Sequence, residues 1–441
     1  MKQVNLLTDS PRRLFFHYLG PTIGSSMVTS IYILADTIMV GQGVGDAGLA
    51  ALTIFMPIVA SFFALGLLLG VGGGVLMSVA KGSGNESLAH KYFSTAMISA
   101  AVVSVCFAVF GAIFFDQMMY ALGADTTNIE LVRGYGLCYT VSAPLFIFSS
   151  SLQSFIRNDK SPRHAMIAVL TGSGLNILLD YLFIFVFKMG MFGASFATSI
   201  GTSITVCILV IHFFTKKNTM RFSFRFFSIK ALWEIAKCGF SSFLIECANA
   251  VLVFVFNHTL LKYIGSVGVT VYSIMSNVAV VCMSLFNGVT LAAQPIIATN
   301  HGADNHKRVL QVRHIGTITS SVIAVIIFCV GFFFPDLLIY SYVKGPTPEI
   351  LELARYALRI YFFAYLFMNF NIFFSGYFQS TLRPVAAITI QILRSLLLSS
   401  VLVSVLPMIF GADAIWYAVP VTECITFFVA MAFLFLGRFQ K

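Results

Sequence analysis

The chain has 441 residues, of which 58% are hydrophobic and only 10% charged, with a mean hydropathy of +0.91. Soluble globular chains carry about 25% charged residues, so this composition excludes a protein that lives mainly in water. A net charge of +10 on its own admits a nucleic-acid partner, but the placement of the basic residues argues against one.

Crossing a hydrocarbon core of about 30 Å takes about 20 apolar helical residues. Twelve runs meet that length, at 14–40, 52–79, 94–115, 135–156, 164–187, 190–213, 239–261, 267–298, 315–338, 356–379, 384–408 and 412–437. The first is too long for a signal peptide and ends in DTIMVGQG rather than at small residues, so the chain is expected to stay whole in the membrane. Lysine and arginine favour cytoplasmic loops. With the N-terminus inside, that side collects Lys2, Arg12, Arg13, Lys81, Lys91, Arg157, Lys160, Arg163, the segment KKNTMRFSFRFFSIK (216–230), Arg438 and Lys441. The opposite side keeps Arg133, Lys188, Lys262, Lys344, Arg355 and Arg359. This bias explains the basic balance through lipid rather than nucleic acid, and it predicts both termini inside.

The chain is written twice. A shift of 220 residues places Gly82 on Gly302, Asn85 on Asn305 and Asp116 on Asp336; a shift of 222 places Glu130 on Glu352, Arg133 on Arg355 and Pro162 on Pro384. Six spans per half give both repeats one orientation, related by an axis along the membrane normal. The expected architecture is an all-α membrane protein with bundles at 1–215 and 233–441 joined by a linker at 216–232. A cleft between two such bundles predicts rocking, alternating-access transport.

Four acids lie well inside the runs: Asp36, Asp180, Glu246 and Glu423, with Asp413 at the edge of the last. A carboxylate at mid-membrane costs roughly 2.5–3.5 kcal/mol on insertion scales, which makes each a candidate site. Asn176 and Asp180 stand four apart and share a helix face, as do Tyr32 and Asp36. If the two faces meet, two carboxylates and an amide form a pocket suited to a proton or a hard cation such as Na+. The alternative is that Asp36 reaches interfacial water and Asp180 only bridges helices. Glu246, with Asn249 one turn away, reads as a second proton site or a surface for a cationic substrate. Arg394 is the one strong base deep in a run and is expected to neutralise an acid, with Glu423 as the named partner. Pro21 lies about four turns before Asp36, where a missing N–H permits bending.

GLLLGVGGG (66–74) follows no strand, so Gly66, Gly70 and Gly74 read as a close-packing face rather than a phosphate loop. Eight cysteines without a CxxC pair read as packing residues, with neither disulfide nor metal roles expected. His301, His306 and His314 lack zinc spacing and read as solvated; His258 reads as packing.

The segments GP (20–21), ADTIMVG (35–41), NDKSPRHA (158–165), NILLD (176–180), FGASFAT (192–198), QPIIATNHGA (294–303) and WYAVPVTE (416–423) together resemble the MATE (multidrug and toxic compound extrusion) transporters, in their MepA-like and DinF-like bacterial branch. The resemblance implies a V-shaped pair of six-helix bundles in a bacterial cytoplasmic membrane. It also implies a non-enzymatic monomer that exports drugs or toxic organic cations in exchange for H+ or Na+, without a cofactor. It carries the cation site to Asp36, Asn176, Asp180 and Thr198, the bending first helix to Pro21, and a seventh-helix acid to Glu246. The tenth-helix acid of NorM-like members has no counterpart in FMNFNIFF (367–374), which moves weight to the first bundle. The competing reading is a flippase for lipid-linked saccharides, whose pyrophosphate calls for a basic cavity. Four deep acids against one arginine favour the exporter. An intramembrane enzyme or receptor would need a nucleophile with its base, a metal cluster or an external domain, and no such motif is present.

Overall fold

The computed structural model describes residues 4–343 and 345–436, except for the side chain of Ala250. The expectations for Lys2, Lys344, Arg438, Lys441 and the end of the last run lie outside those residues. The regular structure of the described residues is all helical, without strands. The first half holds α1 (Pro11–Gly43), α2 (Asp46–Gly82), α3 (Glu86–Ile113), the short α4 (Phe115–Ala121), α5 (Ile129–Val141), α6 (Ala143–Asn158), α7 (Pro162–Asp180) and α8 (Gly190–Ile211). The second half holds α9 (Ile229–Tyr263), α10 (Ser266–Gly302), α11 (His306–Phe333), the short α12 (Pro335–Tyr342), α13 (Pro348–Ser380), α14 (Pro384–Gln391), α15 (Leu398–Phe410) and α16 (Ala418–Leu436).

Among the described residues, eleven helical segments are long and apolar enough to span a bilayer, and the bent pair α5 and α6, taken as one span, makes a twelfth. The fold is thus two six-helix bundles in a parallel pseudo-two-fold repeat. Several spans depart from the straight runs expected. The run 135–156 is bent by 52° between α5 and α6, where Pro144 opens α6 without an N–H to donate backwards. The runs 94–115 and 315–338 end early, at Ile113 and Phe333, and the chain turns into α4 and α12. π-helical turns follow α7 (Tyr181–Val186) and join α14 to α15 (Ile392–Leu397). Hydrophobic periodicity does not register these breaks, because the residues on both sides are equally apolar.

The repeat is visible in the geometry. Arg133 pairs with Asp116 at 2.6 Å and Arg355 with Asp336 at 2.5 Å, each tying a short helix to the long one after it. The glycine-rich face of α2 lies against α6, where added methyls at Gly66, Gly70 and Gly74 would meet Ser150, Ser151 and Asn158.

The two halves exchange their leading segments. Leu14, Phe15 and Tyr18 of α1 pack in a core with Val289, Ile296 and Phe378, while Ile235 and Cys238 of α9 pack in the core of the first half. At the end that carries the termini, α2 and α10 touch backbone to backbone. A Cβ on Gly82 would stand 2.0 Å from the Thr299 carbonyl oxygen, and one on Gly302 the same distance from that of Val79. Nearby, the carboxylate of Asp159 accepts from Lys81 Nζ at 2.5 Å, from Thr219 N at 3.0 Å and from the Thr219 hydroxyl, and faces His212 Nε2 at 2.9 Å. Asp159 therefore pins the linker to the first bundle.

Candidate cation site

Asp36 sits on α1, Asn176 and Asp180 at the end of α7, and Thr198 on α8; all four are buried. The reason α7 and α8 approach so closely is a pair of facing glycines. A Cβ on Gly172 would fall 1.8 Å from Thr205 Oγ1 and 2.6 Å from the Gly201 carbonyl, and one on Gly201 would fall 2.8 Å from both Asn176 Cβ and the Gly172 carbonyl. Real Cβ atoms do not come that close, so only glycine permits this seam. The seam sets Asn176 Nδ2 to donate to Thr198 Oγ1 at 3.2 Å, while that hydroxyl donates to the Ala194 carbonyl at 3.0 Å.

The hydrogen bond uses the amide's donor and turns its oxygen inward. Asn176 Oδ1, Asp36 Oδ1 and both carboxylate oxygens of Asp180 are buried without a hydrogen-bond partner. Asp36 and Asp180 lie within electrostatic range of each other, and Tyr32, Tyr135 and Tyr139 lie within that range of Asp36. These are acceptor oxygens when the acids are ionised. Burying them unpaired is costly, and a proton or a hard, oxygen-seeking cation removes the cost. The residues fit such a guest; they include no soft sulfur ligand.

A cavity of about 60 Å³ adjoins the set, lined by Thr29, Tyr32, Gln153, Ser173, Asn176 and Thr198 among others. A water needs roughly 10–15 Å³ by this measure, so the cavity admits a few waters or an ion and no drug-sized molecule. It extends from Asn176 toward the end that carries the termini, since its other walls, Ser149, Val169, Gly172 and Thr205, lie in that direction on their helices.

The structure thus brings together all four residues expected of the cation site. The remaining candidates lie elsewhere. Glu246 on α9 is partly buried, with no hydrogen bond or ion pair among the described residues, and Asn249 is exposed; neither lines the cavity of the first bundle. Pro21 is buried inside an unbroken α1. Arg394 does pair with Glu423, at 2.7 Å. Sequence reasoning missed the Gly172–Gly201 seam, although both glycines sit in small-residue stretches, TGSG and SIGTS. It also missed the π turn after Asp180, a distortion that recurs at functional sites and has no sequence signature here.

The MatE family model matches residues 21–182 and 238–405, most of the chain and both bundles. The chain belongs to the MatE family. Its similarity to curated MatE relatives runs end to end: it is 25% identical to the multidrug export protein MepA of Staphylococcus haemolyticus over 97% of this chain and 94% of that protein. It is 26% identical to MepA of Staphylococcus saprophyticus, over 96% and 93%. The fold is shared with the outward-facing conformation of a multidrug resistance MATE family transporter, with a TM-score of 0.93, 21% identity and coverage of 100% of this chain and 98% of that one. It is shared too with a MATE solved in complex with MaL6, with a TM-score of 0.92 and the same identity and coverage. In this MatE chain the acid-bearing face of α1 and the α7–α8 seam therefore belong to a transporter-type scaffold of two bundles.

Proposed function

We propose that this protein exports amphipathic or cationic organic compounds across a bacterial cytoplasmic membrane, with both termini inside, in exchange for H+ or Na+ held by Asp36, Asn176, Asp180 and Thr198. The observation that carries the reading is the inward-facing set of unpartnered oxygens on Asp36, Asn176 and Asp180. The division of labour is between a first bundle over 1–215, a linker over 216–232 and a second bundle over 233–441, working as a monomer. Helix α1 links ion to motion: its first turns are embedded in the core of the second half, while its later part carries Asp36 against α7. Pro21 lies at the attachment to the second half, where Ile23 still packs in that core, and a helix lacking one hydrogen bond bends most readily there. Taking up one cation cancels one of the two negative charges on Asp36 and Asp180 and so relieves the repulsion between them. Losing it restores that repulsion, which favours moving α1 relative to α7. Glu246, partly exposed on α9, serves cationic cargo in the cleft.

The flippase reading fares worse on one specific point. A pyrophosphate cargo needs a free base in mid-membrane, and Arg394 is bound to Glu423. The test is dye transport in proteoliposomes under an imposed proton or sodium gradient, for the natural protein and Asp36→Asn. Loss of gradient-driven transport in the variant supports the coupling role and identifies the ion; equal transport by both proteins refutes it.

A further inference from the structure

The second bundle holds an ion pair at the place where the first bundle holds its cavity. The repeat shift of 222 residues, fixed by Pro162 and Pro384 opening α7 and α14, places Gly172 on Arg394, Gly201 on Glu423, Ser149 on Asn371, Gln153 on Ser375 and Val169 on Gln391. All five first-half residues line the cavity beside the cation site. Their five counterparts form two hydrogen-bonded groups, Arg394 with Glu423 and Asn371, and Gln391 with Ser375. Arg394 Nη2 donates to Glu423 Oε1 at 2.7 Å and its Nε to the same oxygen at 3.1 Å. Asn371 Nδ2 donates to Glu423 Oε2 at 2.7 Å, and Gln391 Nε2 to Ser375 Oγ at 2.9 Å. The side chains of Arg394 and Glu423 are only 4% and 3% exposed.

The backbone is adapted to this pair. Arg394 lies in the π-helical segment Ile392–Leu397, and its carbonyl is taken by Ser399 Oγ at 2.5 Å, five residues on. The Glu423 group also keeps a surplus acceptor, since Asn371 Oδ1 is buried without a partner. Without the guanidinium, a carboxylate and an amide oxygen remain, an acceptor pair of the kind Asp180 and Asn176 present in the first bundle.

We propose that Arg394 is a tethered cation: it supplies permanently, in the second bundle, the positive charge that the first bundle takes from solution and releases. Glu423 is thereby occupied by the guanidinium and closed to exchange, so ion exchange is confined to the first bundle, and Arg394 is the positioning residue that sets the number of ions exchanged per cycle. The inference rests on the coupling reading given for Asp36.

The test measures ion binding to purified full-length protein, by 22Na+ equilibrium binding and by proton uptake in weakly buffered solution, for the natural protein and for Arg394→Gln, Arg394→Lys and Arg394→Gln/Glu423→Gln. Arg394→Gln is expected to bind one more cation or proton per chain than the natural protein, while Arg394→Lys and the double variant bind the natural number. The double variant, neutral and able to hydrogen-bond, is expected to keep gradient-driven transport within about twofold, since neutral replacement of a buried pair is often tolerated. Two outcomes overturn the proposal: an Arg394→Gln protein that stays monodisperse and binds dye yet takes up no additional ion, or a double variant that binds dye but has lost ion coupling. Asp36→Asn, measured alongside, reports separately on the first bundle: retained ion-driven transport there refutes the coupling reading whatever Arg394→Gln does.

Discussion

Gly172 and Gly201 face each other across α7 and α8 so closely that a methyl on either would collide with the other's carbonyl oxygen, at 2.6 and 2.8 Å. The geometry of the proposed cation site depends on that contact, since it brings Asn176 within 3.2 Å of Thr198. Substituting Gly201→Ala should push Asn176 away and part the helices. Overpacking of this kind costs about 1–3 kcal/mol, and ion-driven dye transport should fall by about tenfold or more, because the Asn176–Thr198 bond is lost along with the inward aim of Asn176 Oδ1. Transport at the natural rate by a well-expressed Gly201→Ala protein would show that the seam is not needed.

Within the site, Thr198 offers one hydroxyl oxygen, whereas Asp180 offers two unpartnered carboxylate oxygens. Thr198→Val should therefore weaken cation binding by about tenfold, the worth of one hydrogen-bond-scale interaction of about 1.4 kcal/mol. Asp180→Asn should abolish coupling. Cation titrations of the purified variants check the order of the two effects.

Removing one partner of the Arg394–Glu423 pair and removing both should have opposite consequences for stability. Glu423→Leu strands a buried guanidinium and should cost about 3–5 kcal/mol, while Arg394→Leu/Glu423→Leu should lie near the natural protein. Thermal unfolding in detergent reads this directly; a double variant as unstable as the single one would mean that the pair acts through something other than charge balance.

Asp159 lies outside the spans. Burial alone would push its carboxyl up, but hydrogen bonds from His212, Lys81 and Thr219 and the Lys81 charge outweigh that and hold it below the ordinary 3.8. A depressed acid contributes stability that is fully present above its unfolded pKa and lost as pH falls through the folded one. The linker's attachment should therefore hold from neutral pH down to about 4 and fail below it. Asp159→Asn should loosen it at neutral pH, seen as faster protease cleavage within residues 216–228.

Gly302→Ala should wedge open the seam between the bundles, because its Cβ would stand 2.0 Å from the Val79 carbonyl. A cysteine introduced at Thr299, which is buried and whose backbone forms part of that seam, should then react several-fold faster with a membrane-impermeant maleimide applied to the face that carries the termini, as expected when a closely packed backbone contact is forced apart. Unchanged labelling would show that the seam absorbs the methyl.

Much of this was legible in the residue order. Long apolar runs separated by polar clusters determine a twelve-span membrane protein, because lipid leaves unpaired backbone no alternative to helices. The 220- and 222-residue offsets determine two like-oriented bundles. Asp36, Asn176 and Asp180 stand out because a carboxylate or amide in hydrocarbon is too costly to be incidental, and the Arg394–Glu423 pairing follows from the scarcity of deep charges. The tertiary structure alone decided which acid meets which. Asn176 reaches Thr198 because two glycines allow α7 and α8 to touch, and glycine reads the same in sequence whether it marks a contact or a gap. Only the packing of both halves revealed that one repeat position holds a water-sized cavity in the first bundle and a sealed ion pair in the second, since that difference depends on how neighbouring helices fill a common volume.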